Sequence, residues 1–135
     1  MQPSRLSVSL IVLLALVNLA RGAIHVFAPD GGLEVIAGLD IAPARAIVLS
    51  FIAAVGVGQI AFGLVDATAI FVRRDFVRPL LLIHAVQEGL GVFILFVWRP
   101  LPHAVPGQWG ALAAFVVIAF VAALEFSRKP TDAKG

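Results

Sequence analysis

Four long apolar segments, separated by short polar stretches, constrain this chain more than any other feature. The hydrocarbon core of a bilayer is about 30 Å thick, so a helix needs ~20 apolar residues to cross it. Segments of this kind run over residues 6–27, 43–72, 79–98 and 108–126. Hydrophobic residues make up 61% of the chain and charged residues only 13%, which leaves little polar surface for a soluble domain. The sequence therefore predicts an all-α integral membrane protein, a bundle of four transmembrane helices.

The segments leave room for one transmembrane domain, residues 1–129, followed by a short polar tail at 130–135. The second connection, residues 73–78, is very short, which predicts that the second and third helices form a tight antiparallel hairpin. The first connection is longer. Residues 33–39 within it are compatible with a short interfacial helix near a capping Asp30, or with an irregular loop.

The beginning of the chain has some features of a secretory signal. Arg5, an apolar run and the small residues at 20–23 follow the order of such a signal and its cleavage site. The apolar run continues to Phe27, however, and is then long enough to span a bilayer. We therefore expect an uncleaved first helix.

Lysine and arginine are distributed unevenly between the two sides of the predicted bundle. Seven lie at the N-terminus, in the second loop and in the tail, against two in the first and third loops. Because cytoplasmic loops carry the excess of positive charge, both termini are expected in the cytoplasm. Trp98 and Trp109 then lie at the opposite interface, as an aromatic belt requires. The pattern predicts a multi-pass protein of the cell membrane, in particular a bacterial inner membrane.

Composition excludes several chemistries. The chain has no cysteine, so a disulfide framework, a thiolate metal site and a thiol nucleophile are all excluded. The net charge of +2 comes from basic residues at span ends, where they face lipid headgroups, and does not indicate nucleic-acid binding. No H-E-x-x-H, phosphate-binding or dinucleotide-binding motif is present. We therefore predict no catalytic residue, no metal and no cofactor.

Polar side chains inside the spans carry most of the functional information, because ionisable groups in hydrocarbon cost several kcal/mol. They form a stripe on each of the first three helices: Asn18, Arg21 and His25; Gln59 and Asp66; His84, Gln87 and Glu88. A rise of ~1.5 Å per residue puts Asp66 and His84 at one depth, which predicts a pair. Glu88 falls near the midplane, within reach of the Arg21 guanidinium. The sequence thus predicts a buried polar cluster that is a candidate ligand or proton site.

Each of these residues also has a simpler interpretation. Arg21 and His25 can extend to the outer headgroups, and Asp66 can reach cytoplasmic water. His84 can be an ordinary interhelical hydrogen-bonding residue. A bridge between Arg21 and Glu88 can serve only to fix helix packing, since buried ion pairs are weak indicators of function.

The small residues predict where helices pack. Gly56 and Gly63 on the second helix allow a close approach of backbones. The fourth helix has no ionisable residue from Trp109 to Leu124 but carries small residues such as Gly110 and Ala114. Its outer face is therefore expected to meet another subunit or, alternatively, lipid.

The chain resembles the small bacterial four-helix membrane proteins called DoxX-like. The shared features are a polar first helix that leads into a loop with Pro29 and the run Gly38-Leu39-Asp40, and a glycine-rich second helix. The stripe from His84 to Glu88 departs from that pattern. The resemblance implies the four-helix topology and no particular activity, cofactor or site residue.

Three functions are compatible with the sequence. The first is a small non-enzymatic membrane protein that works as an oligomer or as an accessory subunit of a larger membrane complex. The second is a proton-coupled transporter of a small solute, with Glu88 as the titrating group. The third is a quinone-linked or lipid-modifying membrane enzyme that uses His84 and Glu88 as acid and base. The lipid bilayer is the expected partner in every case, and a small ligand or a quinone stays open.

Overall fold

The computed structural model describes residues 2–101 and 104–128, so the tail at 130–135 lies outside the described residues. The described part contains four long helices and no strand. They are α1 (Arg5–Phe27), α2 (Arg45–Phe71), α3 (Val77–Phe93, continued by a π-helical turn over Ile94–Trp98) and α4 (Pro106–Ser127). All four are long and apolar enough to cross a membrane, which confirms the predicted all-α transmembrane bundle.

Local sequence explains where the helices begin. The Ser4 hydroxyl accepts a hydrogen bond from the Ser7 N–H at 3.0 Å and so caps α1. Pro106 is the first residue of α4, where its missing N–H costs nothing. Short 3₁₀ turns, Ala42–Ala44 and Arg74–Phe76, precede α2 and α3. The predicted spans therefore agree with the observed helices to within about two residues at most ends.

The helices associate as two antiparallel pairs, α1 with α2 and α3 with α4. Glycines bring α1 and α2 together: a Cβ added at Gly22 would lie 2.7 Å from the Gly56 carbonyl oxygen. In the other pair the Phe115 ring packs on Gly89, where an added Cβ would lie 2.9 Å from the ring. Such close approaches are how membrane helices gain van der Waals contact.

The predicted tight hairpin of α2 and α3 is wrong. The glycine face of α2 is occupied by α1, so α2 and α3 make few contacts and leave apolar grooves between them. One groove of about 340 Å³ is lined by residues that include Leu64 and Leu80. Another of about 480 Å³ is lined by Phe62 and Val86, among others. A short connection therefore does not decide which helices pack together.

The two pairs are joined mainly in one half of the bundle. We call the end with residue 2, the 72–76 connection and Arg128 the N-terminal end, and the opposite end the loop end. The buried apolar core lies towards the N-terminal end and is formed by Leu10, Ile11, Ala69, Ile70, Val77, Leu80, Leu81, Ile118, Val121 and Ala122. In the described part of the chain, every hydrogen bond between side chains of the two pairs also lies in this half.

The first loop is irregular, the second of the two predicted alternatives: residues 33–37 form turns, and the interfacial helix over residues 33–39 is absent. Asp30 organises these turns: its carboxylate accepts hydrogen bonds from the N–H groups of Gly32, Glu34 and Val35 at 2.8–3.0 Å. Gly32 follows with a φ of +75°, a conformation that glycine adopts without strain. The loop is anchored to α2 by Arg45, which lies 2.6 Å from Glu34.

Acid should loosen this loop. Hydrogen bonds from the Val35 and Gly32 N–H groups hold the pKa of Asp30 below its usual range. The stability that these hydrogen bonds give the loop is therefore complete above the ordinary aspartate pKa. It is lost as the pH falls through the lowered pKa of Asp30. We expect amide protection of Glu34 and Val35, measured by hydrogen exchange and corrected for intrinsic rates, to fall at strongly acidic pH. In the Asp30→Ala variant, this amide protection should be on the order of fivefold lower at neutral pH, the size of effect expected for loss of a helix cap. The protection that remains should not depend on acid. Acid-independent protection in the wild type would contradict this.

Candidate functional site: two buried polar contacts and a half-buried row

A buried pair of side chains joins the two helix pairs. Nε2 of His84 on α3 lies 3.0 Å from Oδ1 and 3.1 Å from Oδ2 of Asp66 on α2. Both side chains are inaccessible, with exposed fractions of 1% and 0%. The Phe62 ring lies against the imidazole, with ring centroids 5.9 Å apart. The contact is the one that equal depth and a short connection predict.

A second buried contact ties α1 to α4 at the N-terminal end. Glu125 is 1% exposed, and its Oε2 accepts hydrogen bonds from the Ser7 hydroxyl at 2.6 Å and the Ser4 N–H at 3.1 Å. Sequence reasoning missed Glu125 because it stands in the last turn of α4, next to a basic helix end. Its position does carry a signal: it is seven residues after Ile118 and four after Val121, on the core face of the helix.

Two arginines balance the charge of Glu125. Arg78 Nε lies 3.5 Å from Glu125 Oε1, and Arg128 Nη1 lies 3.8 Å from Oε2. At these distances the two contacts are ion pairs rather than aligned hydrogen bonds. Arg78 also lies over the Phe126 ring, 4.9 Å from its centroid, which holds the guanidinium at the end of the bundle.

A third group of polar side chains lies towards the loop end and is only half-buried. It consists of Asn18 on α1, Gln59 on α2 and Glu88 on α3, which we call the half-buried row. The Gln59 Oε1 atom is buried and has no hydrogen-bond partner. Within residues 2–101 and 104–128, Glu88 has no ion pair either. The row therefore leaves polar groups unsatisfied inside the span.

The predicted bridge between Arg21 and Glu88 is wrong. Gly22 is the residue of α1 that packs on α2, and one residue along a helix is a rotation of about 100°. Arg21 is thereby turned to the surface and is exposed.

Two further members of the predicted cluster lie elsewhere. Gln87 is exposed at the groove between α2 and α3, and does not join the bundle interior. His25 is half-buried and donates from Nδ1 to the Gly31 carbonyl oxygen at 2.7 Å, so it fastens the first loop. Of the predicted cluster, only Asp66 and His84 are brought into contact.

The chemistry open to these groups is limited by access. Neither Asp66 nor His84 reaches the surface, so neither contacts a substrate in this conformation. Among the described residues, no three histidine, aspartate or glutamate side chains are grouped as ligands for a metal ion. Glu88 is the one ionisable group of the predicted cluster that is both half-buried and unpaired in the part of the chain that the structure describes.

Comparison with known proteins finds no matching family model, no similar curated protein and no similar solved structure.

Proposed function

We propose that the protein is a small non-enzymatic membrane protein that works as an oligomer or as an accessory subunit of a membrane complex. The observation that carries this proposal is the half-buried carboxyl of Glu88, which has no ion pair within residues 2–101 and 104–128. Within this described part, a single copy leaves the carboxyl unsatisfied inside the span. A neighbouring transmembrane helix with a polar side chain would satisfy it.

The depth of Glu88 raises the free-energy cost of leaving its carboxyl without a partner. It stands eleven residues after Val77, the start of α3. At ~1.5 Å per residue this is ~16 Å from that end, close to the middle of a hydrocarbon core about 30 Å thick. An ionisable group at that depth normally pairs with another side chain or faces water.

The closed contacts support an architectural role for the other buried polar groups. Asp66 with His84, and Glu125 with Ser7, each join one helix pair to the other. Both contacts lie in the half of the bundle that is already packed. A partner would complete the packing of the other half of the bundle, where the half-buried row lies.

Replacing Glu88 with leucine should weaken self-association or association with a partner. One interhelical hydrogen bond in a membrane contributes about 0.6–2 kcal/mol, so the association constant is expected to fall roughly 3- to 30-fold. Native mass in mild detergent, measured across protein concentrations and with co-purified proteins, checks this. Thr68→Val is the matched control, because the exposed Thr68 hydroxyl is already bonded to the Leu64 carbonyl oxygen at 2.8 Å. Equal behaviour of the two variants would contradict the proposal.

A proton-coupled transporter is the second candidate, and the same unpaired Glu88 favours it. A carboxyl without a fixed donor can exchange its proton if water reaches it. Vesicles containing the protein and a pH-sensitive dye distinguish the two functions. Proton entry driven by an imposed potential, present in the wild type and lost in Glu88→Gln, would support transport. Its absence, with the association effect present, supports the subunit.

The cellular setting is part of the same proposal. The excess of arginine at the N-terminal end favours a cytoplasmic location of both termini in a bacterial inner membrane. The resemblance to DoxX-like proteins stays a prediction that agrees with the four-helix topology and adds no activity.

A further inference from the structure

The arginines of the described chain fall into two groups. Four of them lie within 4.0 Å of a carboxylate: Arg45 with Glu34, Arg73 with Asp75, and both Arg78 and Arg128 with Glu125. In the part of the chain that the structure describes, Arg5, Arg21, Arg74 and Arg99 have no such partner, and of these four only Arg5 and Arg74 lie at the N-terminal end. Both are exposed. Their positive charges are therefore available to an external anion.

Arg5 and Arg74 share a pocket at the N-terminal end. A pocket of about 270 Å³ lies between the first turns of α1 and the 3₁₀ turn that follows α2. Its lining consists of Gln2, Pro3, Arg5, Val8, Ser9 and Arg74. Arg74 is held in place because its Nε lies 3.3 Å from the Ile70 carbonyl oxygen, to which it donates. Among the described residues, the two terminal nitrogens of that guanidinium have no hydrogen-bond partner, and Ser9 lines the same pocket.

The pocket has the composition and depth of a lipid-headgroup site. Arg5 is the first residue of α1, and Arg74 comes just after the end of α2, so both stand at span ends, where headgroup phosphates lie. The half-buried Val8 forms an apolar part of the lining, and Val12, one turn further into the membrane, is exposed. A phosphate bound by the arginines would therefore continue into an acyl chain that lies along α1.

One acidic residue lies close by without cancelling this charge. Asp75 lines an adjoining pocket that also includes Arg74. Its two carboxylate oxygens accept hydrogen bonds from Arg73 at 3.1 Å and 2.9 Å. The Arg73–Asp75 pair is thus neutral as a unit, and the Arg5 and Arg74 charges remain in excess.

We propose that Arg5 and Arg74 form a binding site for the phosphate of an anionic phospholipid, with the acyl chain along the exposed face of α1. Guanidinium groups match phosphate oxygens with paired N–H donors, and each basic residue at a membrane surface adds measurably to binding of anionic lipid. The site is independent of whether the chain works as a subunit or a transporter.

The test is titration of the detergent-purified protein with phosphatidylglycerol, followed by native mass spectrometry. Arg74→Gln and Arg5→Gln should each weaken lipid binding about fivefold. Arg99→Gln is the matched control: it removes the same charge from an exposed arginine at the loop end that has no carboxylate partner among the described residues, and it should change binding less than twofold. Thermal midpoints close to that of the wild type show that each variant is folded, and Arg74→Lys should retain intermediate binding.

The outcomes decide between lipid and other sources of the same chemistry. Equal loss in Arg99→Gln and Arg74→Gln would mean that only net charge matters, and would overturn the site. Equal binding of phosphatidylcholine would show that the lipid's negative charge is not recognised. Displacement of bound phosphatidylglycerol by millimolar inorganic phosphate would identify a free-phosphate site and overturn the assignment to lipid. Retention of phosphatidylglycerol under that competition supports the proposal.

Discussion

Replacing His84 with alanine is expected to lower the free energy of unfolding by about 3–5 kcal/mol, the range for removing one partner of a buried pair. Asp66, which is 0% exposed, would lose the only hydrogen-bond partner that the structure describes for it. The imidazole also fills space next to Phe62, so its removal opens a cavity in addition. Reversible unfolding in mixed micelles, followed by circular dichroism, measures the change.

Two further variants show that the loss comes from the unpaired carboxylate. Asp66→Leu combined with His84→Leu replaces the polar pair by apolar side chains and should recover most of the stability. His25→Ala is a matched histidine control, since it gives up a single hydrogen bond to the Gly31 carbonyl oxygen and should cost about 1 kcal/mol. A His84→Ala variant as stable as His25→Ala would contradict the assigned role of the pair.

The Asp66–His84 contact was predictable because few variables decide it. Hydropathy fixes the spans, and the short connection fixes the relative depth of α2 and α3 near it. Asp66 is seven residues before Arg73 and His84 is six residues after Arg78, the two ends of the connection, so the two residues lie at nearly one level. Both residues also lie on the faces that the helices turn towards the core. Depth and face together were sufficient for this pair.

Depth alone was not sufficient to predict whether Arg21 and Glu88 are in contact. The direction in which Arg21 points depends on which α1 residue meets α2, and that is decided by the fit of Gly22 against Gly56. The same fit explains why α2 pairs with α1 and not with α3. A hydropathy pattern gives no information on such backbone contacts, because lipid tails and apolar side chains are equivalent on that scale.

The contact between Glu125 and α1 was hidden for a different reason. Ser4 and Ser7 are 121 and 118 residues away from Glu125 in the sequence, and only the packing of the two helix pairs brings them together. Nothing in the sequence fixes the register of α1 against α4. The core-facing position of Glu125 indicates burial but not the partner.

Replacing Glu125 with alanine should lower the free energy of unfolding by about 2–4 kcal/mol, because two hydrogen bonds to a charged acceptor are lost. The cost stays below the upper limit for buried pairs because Arg128, 53% exposed, and Arg78, 23% exposed, both have access to water when their counter-charge is removed. Ser7→Ala, which removes one of the two donors, should cost about 1–2 kcal/mol. Hydrogen exchange should become faster at the amides of the first α1 turn in both variants. Unchanged exchange there would contradict the contact.

The two buried contacts should also contribute independently. The residues of α3 that contact them, Arg78 and His84, are six positions apart, or ~9 Å along the helix, and the two contacts share no partner. Effects at such separations usually add to within about 0.3–0.5 kcal/mol. The Glu125→Ala and His84→Ala double variant should therefore lose the sum of the two single losses. A double variant no less stable than His84→Ala would show instead that the two helix pairs separate as one step once either contact is broken.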